Sequence, residues 1–182
     1  MDWNELNEAI KGCSKCVLAN DRNNVVIGDG NKEANLLIVG EGPGKNEDLK
    51  GKPFVGRAGQ LLDKILQAID LSREEVYITN IVKCRPPNNR DPLSEEKESC
   101  LPYLRAQFLL IRPKIILCLG RIAAQTLIEP NFKITKQHGQ WYDKKGVSMM
   151  ATFHPAALLR DPSRKKSVWE DVQKLKQKYD EI

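Results

Sequence analysis

Apolar runs of strand length occur at residues 35–39, 76–82 and 114–119, with a weaker one at 147–153, and each gives way to polar or glycine-containing residues. Between them the apolar positions change to helical spacing. Leu61, Leu62, Ile65, Leu66 and Ile69 fall on one helical face after Gly56-Arg57-Ala58-Gly59, and Leu101, Leu104, Phe108 and Leu109 do the same downstream of Ser94. There Ser94-Glu95-Glu96-Lys97 has the form of a cap followed by acidic first-turn residues, which the positive end of a helix dipole favours. A short helix is expected after Gly120 and a last one from about residue 164 to 179, with Val168, Val172 and Leu175 inward. This alternation predicts an α/β fold of three layers around a small, largely parallel sheet. No internal repeat or linker interrupts it, and 182 residues suit a single domain spanning 1–182.

Open parallel sheets bind ligands at the carboxyl ends of their strands, so chemistry is expected in the loops at 40–54, 80–92 and 154–164. Composition narrows the setting. A hydrophobic fraction of 41% and a charged fraction of 29% belong to a folded globular chain. The polar start MDWNELNEAIKG and the strand-sized apolar runs predict neither a secretory signal nor a membrane span, hence a cytoplasmic protein. The excess of 29 basic over 24 acidic residues gives +5, and Arg160, Arg164, Lys165, Lys166, Lys174, Lys176 and Lys178 gather charge late in the chain. That suits a polyanionic partner, while lysines on a terminal helix also make an ordinary solvated face.

Five cysteines occur. Cys118 lies inside the apolar IILCLG and reads as a buried thiol. Cys13 and Cys16 form C-x2-C, and Cys84 and Cys100 can complete a four-thiolate site across gaps of 67 and 15 residues. A reducing cytosol disfavours disulfides, whereas zinc and an iron–sulfur cluster both accept four thiolates, and the spacing does not choose between them.

The loop GEGPGKNED, residues 40–48, fits neither the Walker pattern nor G-x-G-x-x-G, because its glycines are evenly spaced and no Ser or Thr follows the lysine. It supplies a tight backbone that a flat ligand can approach, with Glu41, Glu47 and Asp48 nearby. Phe54, in KPFVG, offers a ring on which a base can stack. Asn80 ends the second strand, where its carboxamide matches the N3–H and O4 edge of uracil or else caps a turn. His154, before Pro155, can donate a hydrogen bond to a developing negative charge. Leu158 and Leu159, flanked by Arg160 and Arg164, suit either a wedge into a duplex whose phosphates the arginines hold, or the core face of a helix. His138, in KQHGQWYD, reads as a surface residue.

Together GEGPGKNED, GKPFVGRAGQLL, YITNIVKCRPP and FHPAALLR resemble the iron–sulfur, or family 4, uracil-DNA glycosylases over nearly the whole chain. The resemblance implies a three-layer α/β/α fold with a central four-stranded, mostly parallel sheet, and a [4Fe-4S] cluster on Cys13, Cys16, Cys84 and Cys100. It implies a monomer that flips uracil out of single- or double-stranded DNA and hydrolyses its N-glycosidic bond. The uracil pocket would use Glu41, Gly42 and Pro43 along its wall, Phe54 for stacking, Asn80 for the uracil edge and His154 for O2.

Two positions depart from the best-studied branch of that superfamily. Gly42 stands where an Asp holds the attacking water, so water is expected at the backbone near Gly42 with help from Glu41, and Asp48 as a second candidate. Gly44 stands where a Tyr excludes thymine, which leaves Glu47 as the candidate for that role. The loop at 83–92 lacks the histidine-bearing insertion of relatives that trap DNA covalently, so turnover is expected. The rival reading is a non-catalytic DNA-binding or polymerase-associated module of the same fold, which would bind without releasing a base.

Overall fold

In the computed structural model, which describes residues 1–182, the chain opens with α1 (Trp3–Lys11). The Asp2 carboxylate accepts from the Glu5 backbone and Glu5 reaches back to the Asp2 N–H, which satisfies two free donors at the helix start. There follow β1 (Asp29–Gly30), β2 (Leu36–Gly40), α2 (Lys45–Lys50), α3 (Arg57–Ala68), β3 (Tyr77–Asn80), α4 (Ser94–Ile111), β4 (Ile115–Leu119), α5 (Arg121–Leu127) and α6 (Ile134–Gln137). The chain ends with β5 (Tyr142–Lys144), β6 (Val147–Thr152), α7 (Pro155–Arg160) and α8 (Lys165–Asp180).

The strands form one sheet in the order β1-β3-β2-β4-β6-β5. The four apolar runs occupy its centre and pair in parallel, but the sheet is six-stranded and mixed, because β1 and β5 add antiparallel edges. Neither edge is long enough to leave a periodic signal. The β5–β6 connection is Lys145-Gly146, both at positive φ (51° and 84°), the backbone that a two-residue hairpin turn requires.

β2 and β4 are buried along their whole length, so apolar side chains alternate between two cores rather than between core and water. Leu36, Ile38, Ile78 and Leu117 pack with Leu62 and Leu66 of α3 and with Val168, Val172 and Leu175 of α8. Leu37, Val39, Ile116 and Cys118 pack on the opposite face with Leu104 and Ile111 of α4 and with Ala123 and Ala124 of α5. Ser94 begins α4 but does not cap it. Instead Glu96 accepts from the Leu93 N–H at 2.8 Å while paired with Arg90. No helix is long and apolar enough to cross a membrane.

β2 has β3 on one side and β4 on the other, so the chain reverses its winding direction around β2. A crevice opens at the carboxyl ends of strands at such a point.

Candidate active site

The crevice is a cleft of about 560 Å³, lined from the ends of β2, β3, β4 and β6 and from the loop that carries Phe54. It brings together Glu41, Gly42, Pro43, Glu47, Phe54, Asn80, His154 and Arg160, which the sequence had placed on separate loops. Gly40, the last residue of β2, makes this closeness possible. A Cβ there would stand 2.5 Å from Asn80 Oδ1 and 2.6 Å from Phe54 Cζ.

Phe54 is held in a left-handed backbone conformation (φ 52°). Arg73 enforces it by donating to the Phe54 carbonyl at 2.8 Å and to the Pro53 carbonyl at 2.6 Å. Gly59, in the first turn of α3, leaves the room, since a Cβ there would meet the Phe54 carbonyl oxygen. The Phe54 ring then stacks on His154, centroids 5.4 Å apart and 26° from parallel.

His154 caps α7. The Ala156 N–H donates to its Nδ1 at 3.0 Å, so the neutral ring carries its proton on Nε2. Burial, helped by the Arg160 guanidinium, pushes the imidazole down to about 4. The result is a neutral hydrogen-bond donor in the cleft.

Two buried oxygens in the cleft have no partner: Asn80 Oδ1 and Glu41 Oε1. A buried acceptor left unpaired costs about 1–3 kcal/mol, and both residues that carry one here line the cleft. Burial pushes the Glu41 carboxyl up to about 7, and a hydrogen bond to Asp91 pushes in the same direction. Asp91 is held low by Arg121, whose Nη2 lies 2.8 Å from its Oδ2, so the proton of the pair resides on Glu41. Asp91 and Arg121 were not among the sequence candidates. Asp91 lies inside a loop that the strand-end rule covered; Arg121 follows β4, a strand end to which the rule applies equally.

Other expectations change. Asp48 is buried and does not line the cleft: its carboxylate accepts from the Asn23 N–H (2.9 Å), Asn23 Nδ2 (2.6 Å) and the Asn24 N–H (3.3 Å). It ties the N-terminal segment to α2 and is not placed to hold water. The Glu47 carboxylate does border the cleft, but it accepts from the N–H groups of Gly44, Val55 and Gly56 and so braces two loops. Leu158 is 2% exposed and belongs to the core with α3 and α8, which excludes it as a wedge. Leu159 is 39% exposed, and the Arg164 guanidinium lies over the Phe153 ring at 4.7 Å. His138 is no free surface residue. Its Nδ1 lies 2.8 Å from Oδ2 of the buried Asp171, which also accepts from Thr152 Oγ1.

Behind the loop after β3, whose Asn80 and Pro86 line the cleft, Cys13, Cys16, Cys84 and Cys100 are free thiols that line one cavity with Lys83, Arg22 and Tyr103. Arg22 Nη1 donates to Cys84 Sγ at 3.4 Å and the Lys83 backbone N–H to Cys100 Sγ at 3.3 Å. No three His, Cys, Asp or Glu side chains are arranged to hold a single metal ion. Cys118 is fully buried in the sheet.

The family model of the uracil DNA glycosylase superfamily matches residues 27–176. The chain is 48% identical over 174 residues to the type-4 uracil-DNA glycosylase of Archaeoglobus fulgidus, covering 91% of this chain and 87% of that protein. It is 45% identical over 175 residues to the type-4 enzyme of Thermotoga maritima, covering 94% and 91%. It is 44% identical over 183 residues to that of Pyrobaculum aerophilum, covering 94% and 92%. A cleft at the switch point of a parallel sheet and similarity that runs almost end to end lead to one statement: the chain belongs to the uracil DNA glycosylase superfamily, among the type-4 uracil-DNA glycosylases.

Proposed function

We propose that this protein is a DNA repair glycosylase that takes uracil flipped out of single- or double-stranded DNA, hydrolyses its N-glycosidic bond and leaves an abasic site. The observation that carries this reading is the convergence, in one cleft, of two unpaired buried acceptors, Asn80 Oδ1 and Glu41 Oε1, with a neutral Nε2–H donor on His154. Asn80 Oδ1 is the acceptor for uracil N3–H, and Phe54 supplies an apolar ring beside the base.

The C1′–N1 bond breaks with its electron pair moving onto the base, so negative charge develops on uracil O2 and N1. The Nε2–H of His154 bonds O2 more strongly as that charge grows, which lowers the barrier without a proton having to move first. Water adds to C1′ and gives its proton to the Glu41 carboxylate. A Cβ at residue 42 would lie 2.8 Å from Val82 Cγ2, so a carboxylate at that position requires Val82 to move. Glu41 is the cleft carboxylate with a buried oxygen that has no partner. On the DNA side, the exposed Leu159 takes the wedge role, with Arg160 at the cleft wall toward the phosphates and Arg164, stacked on Phe153, adding its charge beside it.

The four cysteines fit a [4Fe-4S] cluster. They line one cavity, four thiolates are the ligand set such a cluster takes, and two already accept N–H donors of the kind that surround iron–sulfur sulfurs. When bound, the cluster would join the N-terminal segment to the loop after β3 and to α4; no step of the reaction needs it. The protein acts as one domain and as a monomer.

The test is direct. Purified protein is incubated with single-stranded and duplex oligonucleotides containing one uracil, then treated with alkali to break abasic sites. Strand breaks at the uracil position are expected, and binding without breaks would favour the non-catalytic module instead.

A further inference from the structure

Lys83 is the largest of the fully buried side chains, and it is a cation whose partners are all neutral. Its Nζ donates to Thr79 Oγ1 (2.6 Å), to the Asn80 carbonyl (2.8 Å) and to Gln107 Oε1 (2.7 Å). The surrounding bonds fix the direction of each of these. Thr79 Oγ1 donates its own proton to the Ile27 carbonyl at 2.7 Å, so toward Lys83 it can only accept. Gln107 Nε2 donates to the same carbonyl at 2.9 Å, which turns the amide oxygen to Lys83. Three acceptors around one nitrogen need three N–H bonds, so the side chain is an ammonium and not an amine.

A fully buried charge without a counter-charge is strongly destabilising unless something negative lies beside it. Lys83 lines the cavity of the four cysteines, its backbone N–H bonds Cys100 Sγ, and Cys84 is its neighbour in the chain. Four thiolates on an iron–sulfur core carry more negative charge than the core carries positive, and Cys84, next to Lys83 in the chain, is the buried one of the four. The same ammonium braces the last two residues of β3, Thr79 and Asn80, against Gln107 of α4, the helix that also carries Cys100. One side chain therefore touches the backbone of the uracil-edge residue and the wall of the cysteine cavity.

We propose that Lys83 is the buried counter-cation of the four-cysteine centre and, through its bond to the Asn80 carbonyl, a positioning residue that ties this centre to the uracil pocket. This rests on the cluster and Asn80 assignments made under Proposed function. The cluster then matters to catalysis without taking part in it: while it is present, its charge keeps the ammonium in place and the end of β3 stays rigid.

The test uses Lys83→Met, which keeps an unbranched stem and removes charge and donors, and Gln107→Leu, which weakens the brace but keeps the cation. In the holoprotein Lys83→Met should retain visible absorbance at about 400 nm. Its midpoint potential by voltammetry should shift to a more negative value, its bleaching by ferricyanide should quicken, and uracil release should fall at least about tenfold. Gln107→Leu should slow release while leaving the potential unchanged. A folded Lys83→Met with wild-type potential and bleaching overturns the counter-cation role, and wild-type release overturns the positioning role. Should Lys83→Met fail to fold, Gln107→Leu decides: wild-type release there overturns the proposal. Failure of the underlying assignments shows separately, as wild-type protein without the absorbance or as Asn80→Ala with an unchanged rate.

Discussion

His154 can donate to a ligand because its other ring nitrogen is occupied by the Ala156 N–H, and because burial keeps the ring neutral. His154→Ala should therefore slow uracil release by roughly a hundredfold to a thousandfold, measured in single turnover, with little change in folding. Asn80→Ala should be comparably impaired, since it removes the acceptor for N3–H. Glu41 predicts a pH dependence with a definite sign. Its carboxyl must be unprotonated to accept from water and is pushed up to about 7, so release should rise as pH climbs through about 7 and level off above it. Glu41→Gln should lose that limb from the kcat/KM profile. His154, held down at about 4, contributes no limb in this window. Glu47 and Asp48 are carboxylates too, yet backbone donors already occupy both, which is why neither is free for chemistry.

At the scale of elements, α7 divides its residues between two tasks. Leu158 points into the core and Leu159 outward, one position apart on a helix only six residues long. Leu158→Ala should cost roughly 2–5 kcal/mol of stability in thermal or denaturant unfolding, with equal losses on single-stranded and duplex DNA. Leu159→Ala should leave stability within about 0.5 kcal/mol and slow release from duplex more than from single strands. The start of α3 positions the Phe54 loop through the absence of a side chain at Gly59. Gly59→Ala would force the Phe54 carbonyl to move and should reduce uracil release on the order of a hundredfold, because displacement of about 1 Å suffices for such a loss. An unchanged rate would mean that the loop is not set by this contact.

For the molecule as a whole, the net charge is +5, and the cleft is lined by Lys45, Arg57, Arg90, Arg121 and Arg160. Binding that releases counterions weakens as salt rises. The KM for uracil-containing DNA should accordingly climb steeply with salt concentration while kcat changes little, and Arg160→Gln should flatten that dependence. The segment after β3 serves both sites, since Asn80 and Pro86 line the uracil cleft while Val82, Lys83 and Cys84 between them line the cysteine cavity, so stability and base recognition share the same few residues.

The pattern of apolar residues was enough to determine the central strands, the long helices and the ends of strands where the cleft lies, because burial on both faces of a parallel sheet is written locally in each run. The motif residues Glu41, Phe54, Asn80 and His154 were legible because each residue type is unusual at its loop position. What only the tertiary structure decided depends on partners distant in sequence. The edge strands β1 and β5 exist through pairing alone, and Leu158 faces inward because α3 and α8 happen to lie there. Asp48 is taken by Asn23 and Asn24 and His138 by Asp171, whereas Glu41 keeps one carboxyl oxygen without a partner. A side chain's chemistry can be read from its type, but whether it is free to act is settled by which groups folding brings within hydrogen-bond reach.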